Sequence, residues 1–477
     1  MNTSIEAMTP ARRNLVLATC CLSLLVVSMD ITIVNVALPA IRRDLGASLS
    51  GLQWVVDAYT IVLASFLMLG GATADRLGRR RVFQWGMGLF MLGSLLCSLA
   101  GSIGWLIAAR VIQAVGGSML NPVAMSIVVH TFPAPADRAR AIGIWGAVAG
   151  ISMALGPVTG GVLTHGFGWQ AVFWVNLPIG ALTMWLMARY VPESRAPKPR
   201  RPDPVGQLLL LTGLASLTYA LIEGPRSGGL QAGGAALLAV AAFATLLVYE
   251  PRQQEPLLDL RFFHSLPFSS ATLIAVSMFA SMGAFLFLGS IYLQEERGFS
   301  APVAGLCLMP MALAVMVLSP ISGRMVAARG ARPSLLISGT MLTLSALMLT
   351  QLAAETPLPL LLVAFGLFGC GFGMVNAPVT YAAVSGMPRA QAGLAAAVAS
   401  TSRQVGVSLG VALAGSLVGS LHTPRHAVSS GFTEATHTVW WILTGCGVLI
   451  FGLGLLSTGA RGHASAQRVA HLLEEPQ

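Results

Sequence analysis

Three charged side chains interrupt long apolar stretches of the sequence: Asp30, Asp57 and Arg110. An ionised side chain inside a bilayer is costly, so such residues usually face a partner or a cavity and take part in transport. Asp57 and Arg110 each lie about six residues, or about 9 Å, from the same end of their apolar segments, and Asp30 lies about eight residues in. The spacing therefore predicts that all three share one layer of the membrane.

Asp30 is the predicted proton carrier or the counter-charge for a cationic substrate, and a static ion pair with Arg110 is the structural alternative. Arg110 shares a helix face with Gln113, three residues further on, where its fixed charge would tune a nearby carboxylate. The predicted proton-coupling and substrate site comprises Asp30, Asn35, Asp57, Arg110 and Gln113.

Arg403 is a further candidate, in the thirteenth apolar segment. Its side chain either serves the site or snorkels to the membrane surface. The positions of the second half that correspond to Asp30 and Asp57 are near Met282 and Met309, neither of which is acidic. The chemistry of charge is therefore assigned to the first half.

A charged turn lies between the second and third apolar segments, and a weaker copy follows 252 positions later at 323–332, where Ala327 and Ala328 replace its aspartate and first arginine. We predict that the first turn is a gating latch. The alternative, that its arginines only fix orientation, does not explain its glycines or its acid. The predicted gating residues are Gly71, Asp75, Arg76, Gly78, Arg79 and Arg80.

Small residues recur at steps of three and four along the fifth apolar segment, so one helix face is almost bare of side chains. Such faces let membrane helices approach closely and move against one another, and static close packing is the alternative interpretation. We expect the partner to be the thirteenth segment, which carries Gly406 and Gly410. The predicted glycine motif comprises Gly146, Gly150, Gly156, Pro157, Gly160 and Gly161.

The composition places these residues in a membrane protein. The chain has 477 residues, of which 55% are hydrophobic and only 10% charged, whereas soluble domains carry about 25% charged residues. Its net charge of +10 is scattered through short loops, which argues against a nucleic-acid partner. The six cysteines lie in apolar runs and indicate neither disulfides nor a metal site. No cleavable signal peptide is predicted.

Fourteen segments are long and apolar enough to be predicted spans. Most of the 28 Lys and Arg residues lie in the loops on one side, which predicts that both termini are cytoplasmic. The 252-residue offset pairs spans one to six with nine to fourteen and leaves spans seven and eight as an inserted hairpin. The predicted spans are 14–38, 51–72, 82–100, 104–126, 140–163, 169–190, 206–223, 231–249, 268–292, 301–322, 333–352, 358–380, 393–419 and 437–458.

This organisation divides the chain into an N-terminal six-helix half (1–190), a linker with the hairpin (191–267), a C-terminal six-helix half (268–460) and a cytoplasmic tail (461–477). Internal repeats with a substrate path between them are typical of secondary transporters. The predicted fold is an all-α membrane protein with two six-helix pseudo-repeats, a two-helix insertion and 14 transmembrane helices. No loop is long enough for a catalytic domain.

Several motifs also resemble those of the major facilitator superfamily, and in particular its 14-span drug:proton antiporters, the EmrB/QacA-like proteins. The resemblance covers essentially the whole chain. It rests on the loop Gly71–Arg80, the span-four motif Ala109–Gly117, the span-five antiporter motif Gly150–Gly161, and the segments Met29–Pro39 and Trp169–Gly180, the last of which includes Asn176.

The resemblance implies a multidrug efflux antiporter of the bacterial inner membrane. It would exchange protons for amphipathic or cationic small molecules by alternating access, need no cofactor beyond the proton gradient, and have a periplasmic adaptor as a candidate partner in a Gram-negative host. Predicted spans nine to fourteen carry no clear acid, which argues against doubly charged cations as substrates. Alternatives are an exporter of a single endogenous metabolite or antibiotic, and a proton-coupled uptake symporter. A membrane-embedded enzyme or receptor lacks any supporting motif.

Overall fold

The computed structural model describes residues 8–196, 202–224, 228–253, 255–385, 387–388, 391–421 and 431–474. Within these ranges the chain is helical and contains no strand. Hydrocarbon offers no hydrogen-bond partners to the backbone, whereas a helix satisfies its backbone groups internally. An apolar chain that spans a membrane is therefore expected to be helical.

The first helices form one half of the molecule and the inserted hairpin. They are α1 (Pro10–Leu45), α2 (Leu49–Leu77), α3 (Arg79–Ser98), α4 (Ile103–Thr131), α5 (Pro135–Phe167), α6 (Ala171–Trp174), α7 (Asn176–Tyr190), and the hairpin helices α8 (Pro204–Glu223) and α9 (Gly228–Tyr249).

The remaining helices form the second half. They are α10 (Leu266–Ile291), α11 (Ala301–Cys307), α12 (Met309–Arg329), α13 (Arg332–Leu349), α14 (Leu358–Val384), α15 (Ala392–Leu421), α16 (Gly431–Ser457) and the C-terminal helix α17 (Ala460–Glu474). One π-helical turn, Tyr292–Glu296, follows α10.

Among the described residues, 12 helical segments are long and apolar enough to cross a membrane, so the predicted count of 14 is not supported. The two predicted spans that fall short, 82–100 and 393–419, correspond to α3 and α15. Helix α3 begins with three arginines, and α15 carries Arg403 and Gln404 in its interior. These polar residues lower the mean hydropathy of the two helices.

Local signals place the helix ends. The Ser48 hydroxyl accepts a hydrogen bond from the amide of Gly51 at 3.1 Å and caps α2, and Ser102 caps α4 in the same way through Trp105. Helix α1 ends at Gly46, whose φ of 60° is the left-handed conformation that glycine adopts most easily. These caps fix where each charged residue lies along its helix.

The two halves meet mainly through α2 against α15, and α5 against α11 and α12. The hairpin packs on the same seam, because α8 contacts both α2 and α15. The indole of Trp54 in α2 donates a hydrogen bond to Glu223 of α8 at 3.1 Å. The inserted hairpin is therefore attached to a helix that contacts both halves.

One end of the bundle, which we name the closed end, holds the loop between α1 and α2 and the turn after α10. All hydrogen bonds that the structure describes between the halves lie toward it: Arg42 with Glu295 at 2.6 Å, Gln294 with the carbonyl of Val36, and Gln53 with two carbonyls of α15. The opposite end, which holds the starts of α1 and α17, is named the open end. An added Cβ at Gly323, in α12 near the open end, would meet no heavy atom within 4 Å.

Candidate functional site

Asp30 of α1 and Arg110 of α4 form an ion pair in the interior of the first half. The distance from the Arg110 Nη1 to the Asp30 Oδ2 is 2.5 Å, and the two residues are 0% and 1% exposed. The sequence predicted that both share a layer of the membrane, and the structure brings them into direct contact. Such a pair offsets the cost of its burial only when hydrogen bonds satisfy the charged atoms.

Three uncharged residues complete this arrangement, which we name the Asp30 network: Asp30, Ser94, Arg110, Gln113 and Asn176. The amides of Gln113 and Asn176 donate hydrogen bonds to the Asp30 Oδ1 at 2.9 and 3.0 Å. The same amides lie 2.7 and 3.0 Å from the Ser94 hydroxyl. The network thus joins α1, α3, α4 and α7.

Arg110 has further partners that anchor it away from solvent. Its Nε donates to the carbonyl of Val55 at 3.2 Å, and its Nη1 also donates to Gln113 at 2.7 Å. The guanidinium lies over the ring of Tyr59, 4.0 Å from the ring centre. A face-on aromatic ring attracts a cation, and the effect is strongest where water is absent. Arg110 is therefore a fixed positive charge built to hold one carboxylate.

Asp57 does not join the network. It lies two residues after Val55, whose carbonyl contacts Arg110, so the predicted depth agrees, but its side chain faces Ser408 of α15 in the other half. Neither carboxylate oxygen receives a hydrogen bond of normal geometry, although the residue is 0% exposed. Spacing along a helix gave the depth of this acid and not the direction in which it points.

Asn35 and Arg403 also lie outside the network. The Asn35 amide donates to the carbonyl of Ile31 in its own helix at 2.9 Å. Arg403 is in the second half, where its Nη2 donates to the hydroxyl of Thr380 at 2.6 Å. Neither residue contacts Asp30 or Arg110 through a described hydrogen bond.

The glycine motif of α5 contacts two partners. Gly156 and Gly160 lie against Thr32 and Ile33 of α1, and a Cβ added at Gly160 would come within 2.8 Å of the Ile33 carbonyl oxygen. Gly161 meets the carbonyl of Ala301 in α11 at 2.5 Å by the same measure. These distances are too short for any side chain, so the motif allows contact with α1 and with the second half.

The remaining members of the motif are less constrained. Gly150 is in ordinary contact with Val315 of α12 at 3.8 Å, and the carbonyl of Pro157 lies against Gly305 of α11. Gly146 lies in α5, and its surroundings are outside the described residues.

The predicted partner of this motif was wrong. Gly406 and Gly410 of α15 pack on Val276 and Ala280 of α10, inside their own half, and α5 packs on α11 and α12 instead. Two bare faces in one sequence show that close contacts exist, but they do not show which faces meet.

The predicted gating turn is attached to its own half. Asp75 forms an ion pair with Arg79 at 3.0 Å, and its carbonyl accepts a hydrogen bond from the amide of Ala196, after α7. Glu193 accepts hydrogen bonds from the amides of Arg80 and Arg81 and so occupies the start of α3.

Gly78 is required at this turn for two reasons. Its φ of 115° is a conformation that side chains rarely adopt, and an added Cβ would lie 2.6 Å from the Glu193 carboxylate. Gly71, by contrast, is in ordinary contact with Pro122 at 3.6 Å. Arg76 lies in the last turn of α2.

The charged and glycine motifs of the sequence do not indicate Ser94, Tyr59 or the part that Asn176 plays. Asn176 lies in a segment noted only for its resemblance to a family, where a polar residue opening a membrane helix was the available signal. A serine in an apolar helix is too common to single out. Tyr59 lies two residues from Asp57, and nothing in its position along the chain indicates Arg110.

A buried ion pair inside an all-helical bundle with 12 candidate membrane spans among the described residues is compatible with a membrane transporter. Residues 20–411 match the family model of the Major Facilitator Superfamily. The chain therefore belongs to the Major Facilitator Superfamily, which indicates a transporter and not an enzyme.

The relatives of this chain include resistance proteins. It is 38% identical over 390 residues to the multidrug resistance protein Stp of Mycobacterium tuberculosis, covering 81% of this chain and 72% of that protein. It is 35% identical over 389 residues to the tetracenomycin C resistance and export protein of Streptomyces glaucescens, again covering 81% and 72%.

Among solved structures, an inward-open structure of the xylose transporter XylE from E. coli superposes with a TM-score of 0.65. The match covers 96% of this chain and 99% of that one. At 15% sequence identity this likeness shows the fold alone.

Proposed function

We propose that this protein is a proton-driven exporter of small amphipathic molecules. The observation that carries the proposal is the Asp30 network, in which one acid is held by a fixed cation and two amides in the interior of the first half. The names of two relatives, a multidrug resistance protein and a resistance and export protein, support export as the direction of transport.

In this mechanism, a proton on Asp30 removes the negative charge that Arg110 binds and weakens the hydrogen bonds from the two amides. Helices α4 and α7 then lose their bonds to Asp30 of α1, and α3 is affected through Ser94, which bonds to the same two amides. Buried polar networks of this kind respond as units, because each member is costly when left alone. Protonation is thereby linked to the packing of α1.

Helix α1 offers a route from the network to the second half. Thr32, two residues after Asp30, lies against Gly156 of α5, and Gly161 of α5 lies against Ala301 of α11. A shift of α1 would thus move α5 through the contact at Gly156, and α5 would move α11 of the second half through the contact at Gly161. This continuity supports alternating access driven by the state of Asp30.

We propose the remaining features as parts of the same account. Helices α3 and α15, with 20 and 30 residues, are long enough to cross a hydrocarbon core of about 30 Å, which would complete the 14-span architecture of the EmrB/QacA-like branch. The arginine bias supports an inner-membrane protein with cytoplasmic termini. The structure, sealed toward its closed end, would then be the inward-facing state.

A proton-coupled uptake symporter is the second candidate, because an acid paired with an arginine would serve either direction. Export of a single metabolite or antibiotic is the third. The breadth of protection that the protein gives a pump-deleted bacterium against dyes, biocides and antibiotics separates a multidrug exporter from a single-substrate one.

The coupling is tested in inside-out membrane vesicles that carry an acidic lumen and a pH-sensitive dye. With the wild-type protein, addition of a dye from the protective panel is expected to make the lumen less acidic, because protons leave as the compound enters. A symporter would not produce this signal. Asp30→Asn should abolish it at unchanged protein levels, while Asp44→Asn, at an exposed acid beyond the buried part of α1, should keep it. Wild-type proton exchange in Asp30→Asn would remove Asp30 from the mechanism.

A further inference from the structure

Arg403 has no carboxylate partner. Among the described residues no acid lies within 4.0 Å of its guanidinium, in contrast to Arg110. Its single described hydrogen bond goes to Thr380, a hydroxyl that already donates to the carbonyl of Asn376. Its Nε is buried without any partner. A cation in an apolar helix bundle is costly when unpaired, so this arrangement needs an explanation.

The sequence of the second half supplies no acid that could move to it. From Leu266 to Ser457 the acids are Glu295, Glu296, Glu355 and Glu434, and each lies in a turn, loop or helix start at the closed end. Arg403 is separated from these four acids by the contact between the halves and lies on the side of the open end. It is about eleven residues, or about 16 Å, into α15 from the open end.

The surroundings of the guanidinium are aromatic, and they border an exposed threonine. Its central carbon lies 6.0 Å from the centre of the Phe279 ring, and Phe279 packs edge-on against Phe372 at 5.1 Å. Arg403 as a whole residue is only partly buried, and Thr380, whose hydroxyl accepts its hydrogen bond, is exposed. Ser408, which faces Asp57 across the seam, lies five residues nearer the closed end. Arg403 thus lies just on the open side of that contact.

From this geometry we propose that Arg403 is a substrate-binding residue that selects amphipathic organic anions carrying an aromatic group. The anionic group would take the free N–H donors of the guanidinium, and the aromatic part would pack on the partly buried ring of Phe279, which the fully buried Phe372 supports from within the half. Arginine suits this task because its donors form a fork that fits carboxylate and sulfonate oxygens. This inference rests on the proposed function and assigns its substrate class: Asp30 is paired with Arg110, and no described acid lies within 4.0 Å of Arg403.

Equilibrium binding to the full-length protein in nanodiscs of neutral phosphatidylcholine tests the assignment. The probes are 8-anilinonaphthalene-1-sulfonate, an aromatic anion, and N-phenyl-1-naphthylamine, which has the same rings without the sulfonate. Wild type is expected to bind the anion at least tenfold more tightly, or about 1.4 kcal/mol. Arg403→Gln should remove this preference by lowering the affinity for the anion alone, and Arg403→Lys should keep part of the preference. Arg43→Gln removes an exposed arginine at the closed end and should change neither affinity.

Three results would overturn the assignment. Equal weakening of both probes in Arg403→Gln would make the residue structural, and unchanged binding of both would make it irrelevant. If that variant does not fold, wild-type protein that binds the cation ethidium more tightly than the anion overturns the proposal without any variant. Binding is measured without a proton gradient and so does not depend on coupling. A wild-type protein that prefers the anion but shows no proton exchange in vesicles would therefore refute only the coupling through Asp30.

Discussion

The internal repeat predicted from the sequence assigns corresponding places to the Asp30 network of the first half and to an aromatic cluster of the second half. The 252-residue offset puts Met282 opposite Asp30, and matching Asn121 to Asn376 puts Phe365 and Phe368 opposite Arg110 and Gln113. In the second half these two rings pack on Phe285, one edge-on at 4.9 Å and the other stacked at 4.1 Å. The Trp440 ring lies 6.3 Å from the same phenylalanine.

The two arrangements stabilise their halves by different physics. Stacked and edge-on rings gain from dispersion and burial whatever the protonation state of the protein. The ion pair is stable only while its acid is charged and its amides stay in place. The stability of the Asp30 network therefore depends on the charge of one acid, whereas that of the aromatic cluster does not. We propose that only the Asp30 network responds to a proton.

The largest expected effect comes from removing the cation. Arg110→Met leaves Asp30 buried without its counter-charge, which should lower the free energy of unfolding by about 3–5 kcal/mol. Thermal unfolding of the purified protein in detergent measures the loss. The double variant Asp30→Asn with Arg110→Met should recover most of it, because no charge remains unpaired. A double variant as unstable as the single one would show that packing of the arginine stem, and not its charge, holds the site.

The sequence predicted the depth of the charged residues but not how they point. Depth follows from counting residues along a helix, which is why Asp30 and Arg110 were correctly expected in one layer. The direction of Asp57 depends on how α2 packs against α15, and no local pattern encodes that. The same limit explains the wrong partner for the α5 glycines.

Residues without a charge were the hardest to assign. Asn35 was predicted as part of the site, yet its amide binds its own helix. Asn176, 146 residues away from Asp30 in sequence, donates to the carboxylate. Long-range hydrogen bonds need the tertiary fold, whereas the all-helical class and the repeat needed only hydropathy and spacing.

These two asparagines give the next prediction. Asn176→Ala removes a donor to a charged carboxylate and should lower the free energy of unfolding by about 1.5–3 kcal/mol. Asn35→Ala removes a bond within one helix and should cost less than about 1 kcal/mol. Both are read by thermal unfolding under one set of conditions. Equal losses would mean that Asn176 contributes packing and no charge stabilisation.

The aromatic cluster should be more tolerant. Phe285→Leu keeps an apolar side chain of similar size and loses the ring–ring interactions, at a cost of about 0.5–1.5 kcal/mol. Proton exchange in inside-out vesicles should survive in this variant, since the cluster holds no titratable group. Loss of exchange in a stably folded Phe285→Leu would break the division between a responsive and a passive core.

The smallest expected difference in stability lies between the turn that contains Gly78 and its counterpart in the second half, which contains Gly330. Gly78 and its counterpart Gly330 have φ values of 115° and 77°, so an alanine is strained at either. Only Gly78 approaches a carboxylate, and its replacement would also displace Glu193 from the start of α3. Gly78→Ala should therefore be less stable than Gly330→Ala by about 1 kcal/mol, the contribution of a typical hydrogen bond. Comparable thermal unfolding of the two variants would contradict a special role for the first loop.

The most direct test of the account is a count of protons released when substrate binds. Purified protein in weakly buffered detergent is mixed with the compound exported most strongly in the resistance panel, and a pH indicator follows the solution. If Asp30 exchanges its proton for substrate, wild type and Asp44→Asn should release protons on binding. Asp30→Asn should bind the compound and release none. Release of the same number of protons by Asp30→Asn would contradict the claim that the Asp30 network couples transport to the proton gradient.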